Sequence, residues 1–184
     1  DVDRIETQLL ASNPVLEAFG NAKTLRNDNS SRFGKYMELL FDFGGAPRGG
    51  KITSFLLEKV RVTERSVGER SFHIFYFMLA GLSGGELKEL TLKDDPAAYK
   101  FLSKSQTYKL DGMNDKTEFR RVVDAMTNLN MPKDKQKSVW RVLAAILKLG
   151  NLEFKPPKGK DGKDSSAIAN PAVIGGVAKL LGIK

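Results

Sequence analysis

The chain has 184 residues, a net charge of +8, 41% hydrophobic residues and no cysteine. Its length is enough for one substantial core, and without cysteine it has neither a disulfide framework nor a thiolate metal site. No apolar run approaches the ~18 residues of a membrane-spanning helix, and the acidic N-terminus is unlike a secretory signal, so we expect an intracellular protein with no transmembrane segment.

The positive charge is unevenly placed along the chain. Residues 51–184 carry 24 basic and 15 acidic side chains, whereas residues 1–50 carry six basic and seven acidic ones. Such an excess favours an acidic partner: nucleic acid, an anionic membrane or an acidic protein filament. No aromatic residue interrupts the basic cluster at 155–163, which argues against single-stranded nucleic acid as that partner.

The first predicted element is a helix. Apolar residues recur at helical spacing from Ile5 to Leu16. Pro14 either kinks this helix or starts a second short one with Asn13 as its cap. Gly20 is expected to end it.

A strongly polar run, NDNSSRFGK, follows at 27–35. Ser30 and Ser31 can offer one hydroxyl to a Mg²⁺ ion and another to a water or a phosphate oxygen. Arg32 can pair with an acidic group across a cleft, and the asparagines can donate to phosphate oxygens. These residues suit a loop that closes over the γ-phosphate of a nucleotide, although a plain polar turn has a similar composition.

Two strands are predicted after this run. From Met37 to Phe43 every second residue is apolar, which is typical of a strand with one apolar face. Residues 44–50 are dense in Gly and Pro and predict a turn, and a second strand is predicted at 52–57. We expect the two strands to form an antiparallel hairpin.

The rest of the chain is predicted to be mainly helical, so the expected fold class is mostly α with a small antiparallel β-hairpin. An apolar helix at 69–80 is expected to stop at Gly81 and Gly84-Gly85. Further helices are predicted near residues 95–103, 116–129, 134–149 and 171–181.

Two single-copy side chains and one loop complete the sequence pattern. His73 is the only histidine, so it has no partner for a triad or a metal site and is expected to be a packed, hydrogen-bonded core residue. Trp140, on an amphipathic helical pattern, is also expected in the core. Residues 155–166 are too rich in Pro, Gly and charge to pack, and predict a surface loop.

Several segments together resemble the myosin motor head. The run at 27–35 with its lead-in EAFGNAKT at 17–24 resembles the switch I region of that family. Kinesin motors share the Asn…Ser-Ser-Arg core, but the lead-in and the Phe-Gly-Lys exit favour myosin. The resemblance continues through GERSFHIFY at 68–76 and LAAILKLGNL at 143–152, so it covers the whole chain. Residues 35–50 are most similar to class I, single-headed myosins.

Three positions depart from the family pattern. Family members usually carry Asn where Ser71 stands, Gln where Phe77 stands and Ser where Val60 stands. None of the three lies in the polar run. The departures therefore affect expected local packing and leave the expected site residues unchanged.

The resemblance implies that residues 1–184 form one partial domain, the upper subdomain of a P-loop NTPase-type motor head that binds ATP and Mg²⁺. In this analogy Ser31 ligates Mg²⁺, Ser30 lies beside the γ-phosphate and the attacking water, and Asn27 contacts phosphate oxygens. Asn29 belongs to the same nucleotide-binding set. Arg32 closes the site by pairing with a glutamate of the second switch, outside this chain, so that Ser30 and Arg32 are the expected catalytic residues.

The resemblance also implies an actin filament and the remainder of the head as partners, in the cytoplasm at the actin cytoskeleton. The basic residues expected to meet acidic filament residues are Lys155, Lys158, Lys160 and Lys163. Exposed, screened charges of this kind contribute little and depend on salt.

Two other functions remain open from the sequence. One is a stand-alone interaction module that kept the fold and lost catalysis, and the other is a basic nucleic-acid binder, which is the less favoured. The resemblance implies that the parent protein is an ATPase. No G-x-x-x-x-G-K-[ST] motif occurs in the 184 residues, so this segment alone is expected to be inactive.

Overall fold

A computed structural model describes residues 2–156 and 165–183 of the chain. Its seven helices in the described residues are α1 (Val2–Gly20), α2 (His73–Gly81), α3 (Gly84–Glu89), α4 (Lys100–Ser103), α5 (Asp115–Asn128), α6 (Lys133–Gly150) and α7 (Pro171–Leu181). Its strands are β1 (Asn21–Ala22), β2 (Ser30–Ser31), β3 (Gly34–Phe41), β4 (Pro47–Phe55), β5 (Phe154–Lys155) and β6 (Ala167–Ile168), which pair antiparallel as β1–β2, β3–β4 and β5–β6. The expected mostly helical fold with small antiparallel sheets is confirmed.

Helix α2 is the centre of the core, and its residues from His73 to Leu79 are all buried. It packs against α1 and α5. The predicted start at residue 69 is wrong by four residues, because residues 70–72 bind the polar loop instead: the Arg70 N–H donates to the Lys23 carbonyl, and Phe72 bridges to Ala22. The predicted stop at Gly81 is confirmed.

The predicted role of Gly84-Gly85 as a stop is wrong, because these glycines begin α3. Ser83 caps α3 in a capping box with Glu86: the Ser83 hydroxyl accepts from the Glu86 N–H, and the Glu86 carboxylate accepts from the Ser83 N–H. The predicted helix at 95–103 is also divided, into a 3₁₀ turn at Pro96–Ala98 and α4, since Tyr99 between them is extended (φ −117°, ψ 118°).

The long helices α5, α6 and α7 lie where the sequence predicts them. The Asn114 side chain caps α5 by accepting from the Thr117 N–H at 3.0 Å. Trp140 of α6 is 5% exposed and its ring lies 5.1 Å from that of Phe119 of α5, centroid to centroid, so the predicted core position of Trp140 is confirmed.

The hairpin of β3 and β4 forms in the antiparallel register Glu38↔Lys51. Its expected single apolar face is wrong in one respect: neighbouring residues Leu39 and Leu40, which point to opposite faces, are 45% and 61% exposed. The described part of the chain therefore leaves apolar side chains uncovered on both faces of this hairpin.

Helix α1 continues through Pro14 to Gly20, so no second helix starts at that proline. The loop predicted at 155–166 begins within β5 and ends before β6, and this short ladder closes its base. Residues 157–164 lie outside the described residues. Among the helices that the structure describes, none has the length and apolarity needed to cross a membrane.

Candidate functional site

The polar run predicted to bind nucleotide forms a loop that is clamped at its base. Strand β1 leaves α1 directly and pairs with β2, with Asn21 opposite Ser31 and Ala22 opposite Ser30. Within the loop, the Thr24 N–H donates to the Asn27 carbonyl at 2.8 Å. We call residues 21–32 the switch loop. The β1–β2 pairing fixes the position of its two serines, which form β2.

The two serine hydroxyls make different contacts. The Ser31 Oγ donates to the Phe33 carbonyl at 3.2 Å, and Ser31 is exposed, so its oxygen lone pairs have no partner among the described residues. The Ser30 Oγ accepts from Nη1 of Arg32 at 3.3 Å and keeps its own proton. The Ser31 oxygen is thus suited to a hard cation, and the Ser30 hydroxyl can still donate to a water or a phosphate oxygen.

Arg32 anchors the exit of the switch loop. Its Nε donates to Glu58 Oε2 at 2.7 Å, and its backbone N–H and C=O bond to the Gly20 carbonyl and the Glu58 N–H. Sequence reasoning expected its partner to be a glutamate outside this chain and assigned no role to Glu58. The acidic residue is visible in the sequence LLEK at 56–59, but nothing in the sequence shows that this segment folds back onto Arg32.

Buried Arg61 links two points of the switch loop, Leu25 and Arg32, through two glutamates. Its Nε donates to Glu58 at 2.6 Å and its Nη1 to Glu69 at 2.9 Å, and Glu69 also accepts from the Leu25 N–H at 3.3 Å. Burial opposes ionisation of Glu58, but the hydrogen bonds and charges of Arg32 and Arg61 outweigh it and hold the Glu58 pKa below its usual value. The loop is therefore held by one charged network, Arg32–Glu58–Arg61–Glu69, that starts and finishes on it.

The two asparagines of the predicted nucleotide set face different ways. Both are exposed, and Asn27 accepts the Asn29 N–H on its Oδ1 at 2.8 Å, which forms a local Asx turn. The Asn29 side chain instead bonds to the body of the domain: its Nδ2 donates to Glu17 at 3.3 Å, and its Oδ1 accepts from Asn21 at 3.1 Å and lies 3.1 Å from His73 Nε2.

His73 is the buried end of this contact. It is 2% exposed, and its ring stacks on Phe77 with centroids 5.6 Å apart and planes 6° from parallel. Burial, reinforced by the charge of Arg70, lowers the His73 pKa to about 4, so the ring is neutral near pH 7. The predicted packed, hydrogen-bonded core histidine is confirmed; sequence reasoning missed that its partner is in the switch loop.

The predicted filament contacts are only partly described. Lys155 lies in β5 and is exposed. Lys158, Lys160 and Lys163 lie outside the described residues. In chain order, β5 follows α6 and β6 precedes α7.

Comparisons with known proteins show which family the chain belongs to. Residues 1–184 match the family model described as myosin head (motor domain). The chain is 57% identical to myosin IE heavy chain of Dictyostelium discoideum over 152 residues (83% of the chain), and 49% identical to unconventional myosin-Ib of Homo sapiens over 183 residues (100% of the chain).

A third relative, myosin ID heavy chain of Dictyostelium discoideum, is 51% identical over 168 residues (91% of the chain). The chain spans 15–16% of the length of these three relatives. The expected resemblance to class I myosins is confirmed by them. The chain therefore belongs to the myosin head (motor domain) family.

Proposed function

We propose that this chain is the part of an actin-based, ATP-driven motor that senses the γ-phosphate and Mg²⁺ of bound nucleotide. The carrying observation is the switch loop itself. It holds two serine hydroxyls and Arg32 beside a clamped ladder, and the buried Arg61 network binds it at Leu25 and Arg32. Membership of the myosin head family supports the motor as the larger protein.

The donor set fits the proposed Mg·ATP. Mg²⁺ prefers oxygen ligands and keeps several waters, so one serine hydroxyl from this chain is sufficient, and Ser31 has free lone pairs on an exposed oxygen. The ion would neutralise phosphate charge and orient the phosphate. In this proposal Ser31 binds the ion, Ser30 orients the attacking water, and exposed Asn27 donates to phosphate oxygens.

Asn29 belongs to the proposed nucleotide segment in a different way. Its side-chain oxygen and amide are engaged inside the chain, with Glu17, Asn21 and His73. We therefore assign Asn29 to holding the loop and leave direct phosphate contact to Asn27.

Arg32 carries the proposed coupling to hydrolysis. Its bond to Glu58 supplies a resting partner inside the chain. When the site closes, we propose that Arg32 pairs with an acidic group of the second switch elsewhere in the head, while Arg61 keeps Glu58 paired. Because Arg32 exchanges one carboxylate partner for another, neither the open nor the closed state leaves its charge unpaired, so closure is reversible.

The proposed mechanism also includes a contact with the actin filament. Four lysines lie close together in sequence, at the end of β5 and in the segment that follows it: Lys155, Lys158, Lys160 and Lys163. We propose that this loop lies against acidic residues of actin. A protein with this role is expected in the cytoplasm, at the actin cytoskeleton.

The test uses a complete motor head that carries this chain. Ser31→Ala should require at least about tenfold more Mg²⁺ for half-maximal ATP turnover, because an ion ligand is lost. Ser66→Ala is the matched control, since Ser66 is exposed and outside the switch loop. If Ser31→Ala has the Mg²⁺ dependence of the control, the proposed site is wrong.

The two rival functions give different results in the same preparation. A module that kept the fold and lost catalysis would bind actin with no ATP turnover. A nucleic-acid binder would bind random oligonucleotides in a salt-dependent manner without binding actin.

A further inference from the structure

Three hydrogen bonds hold the Asn29 side chain, and their directions fit one another. Glu17 is a carboxylate and can only accept, so the Asn29 atom that faces it at 3.3 Å is the amide nitrogen. The Asn29 oxygen therefore faces Asn21 Nδ2 and His73 Nε2, both at 3.1 Å. An amide oxygen can only accept, so the His73 Nε2 carries the proton and donates it to Asn29.

Among the hydrogen bonds of the residues that the structure describes, the His73–Asn29 bond is the one that joins α2 to the side chain of Asn29. His73 is the first residue of α2, is 2% exposed and is fixed by stacking on Phe77. Asn29 is exposed and borders a cleft of about 280 Å³ between α1, α2 and α5, which His73 and Phe77 also line. Packing thus leaves the Asn29 amide room to turn, and the hydrogen bonds determine its position.

Asn29 directly precedes the two serines of β2. Ser30 and Ser31 pair with Ala22 and Asn21, and the Asn21 side chain also donates to Asn29. A displacement of Asn29 is therefore transmitted to both hydroxyls. Misplacing a reacting group by about 1 Å can cost on the order of 100-fold in rate, so this anchor matters for chemistry at Ser30.

We propose that His73 is a positioning residue for nucleotide hydrolysis: it donates to Asn29 and so holds Ser30 and Ser31 at the nucleotide. The inference rests on the function proposed above and deepens it. His73 does not itself exchange protons with substrate, because it is buried and its Nε2 is bonded to Asn29. Asn29 is correspondingly an anchor and not a phosphate ligand.

The test compares two substitutions at His73 in the complete motor head. His73→Phe keeps a flat ring against Phe77 and removes the donor, whereas His73→Gln loses the ring and can place an amide donor near the Nε2 position. We expect His73→Phe to slow the phosphate burst about tenfold, with nucleotide affinity changed less than about threefold, which is the size of one lost hydrogen bond. His73→Gln should restore most of the burst rate. If the residue is only packing, the order is reversed, and Phe is the better substitute.

Asn29→Ala is a second variant that leaves the core intact, so it remains informative if both His73 variants fail to fold. It should slow the burst as much as His73→Phe does, and adding His73→Phe to it should have little further effect. A variant Asn29→Ala that binds nucleotide tenfold more weakly with a normal burst rate would overturn the inference, since that is the behaviour of a phosphate ligand.

The outcomes separate this inference from the proposed function. If Ser31→Ala keeps the Mg²⁺ dependence of Ser66→Ala, the proposed site fails, and the positioning role fails with it. If Ser31→Ala shifts the Mg²⁺ dependence while His73→Phe and Asn29→Ala burst normally, only the positioning role is wrong.

Discussion

Removing the carboxylate of Asp115 should destabilise the chain strongly, because it leaves a buried arginine charge without a partner. The Arg70 side chain has 0% exposure, and its Nη2 lies 3.0 Å from both carboxylate oxygens of Asp115. Breaking such a buried pair costs about 3–5 kcal/mol. The Arg70 guanidinium also lies 3.8 Å from the ring centroid of Tyr76, an attraction that survives the substitution and places the expected cost near the lower limit, about 3 kcal/mol.

Urea unfolding of the chain, followed by the fluorescence of its single tryptophan, measures this effect. Trp140 is 5% exposed and reports on the core directly. With a urea m-value of about 2 kcal/mol/M, a loss of about 3 kcal/mol lowers the midpoint by about 1.5 M. Asp124→Ala, an exposed position on the same helix α5, is the control and should change stability by less than about 0.5 kcal/mol.

A double substitution decides whether the pair itself is stabilising. Burial raises the Asp115 pKa above its usual value even though Arg70 lowers it, so the arginine does not fully offset the cost of burying this carboxylate. Arg70→Met combined with Asp115→Ala should therefore cost less than Asp115→Ala alone. If Asp115→Ala costs no more than Asp124→Ala, or if the double variant is the less stable, the reasoning is refuted.

Three further predictions concern the core and the switch loop. The His73 pKa is lowered to about 4, so only the unfolded chain binds this proton between about pH 6.5 and 4; stability should fall by about 3 kcal/mol on acidification through that window, and His73→Gln should remove this part of the pH dependence in urea titrations. Gly81→Ala should lower the thermal midpoint despite the better helix propensity of Ala, because the new Cβ would overlap the Phe119 ring; an unchanged or higher midpoint would contradict the packing. Arg61→Met should speed amide exchange in residues 23–32 more than in α2, because it removes the donors shared by both ends of the loop; equal acceleration in the two segments would show that the network does not hold the loop.

The helices that sequence predicts best are those whose periodicity and end signals agree. Helix α6 begins at Lys133 and ends at Gly150, and α7 covers Pro171–Leu181 as expected. The start of α2 could not be predicted, since nothing in the local sequence shows that residues 70–72 bind the switch loop by backbone contacts. Tertiary pairing of this kind overrides local propensity.

In the candidate site, too, local sequence patterns could be interpreted and contacts between remote residues could not. The polar composition of the switch loop identifies Ser30, Ser31 and Arg32 as candidates, because hydroxyl and guanidinium groups in one run have a recognisable chemistry. Their supports were missed because they are remote in sequence: Glu58 is 26 residues from Arg32, and His73 is 44 residues from Asn29. A lone histidine on an apolar segment carries no sequence signal of the loop that it contacts.

The hairpin shows a limit of a different kind. Alternation in β3 correctly predicts a strand, but Leu40 adds a second apolar face that alternation alone does not explain. Strands with apolar residues on both faces are typical of a sheet covered on both sides. The described residues do not cover both faces of the hairpin. Its apolar residues on both faces are therefore explained only when the chain is considered as part of a larger head.

The phosphate burst of a complete motor head with Arg32→Ala tests the central proposal most directly. Arg32 is proposed to stabilise the closed, reactive state and not the ground-state complex, so its loss should abolish the burst while nucleotide affinity changes little. Arg48→Ala, an exposed arginine of the hairpin that pairs with Asp42, is the matched control and should burst normally. A normal burst in Arg32→Ala, or a defect confined to weaker nucleotide binding, would contradict the proposal that this loop closes over the γ-phosphate.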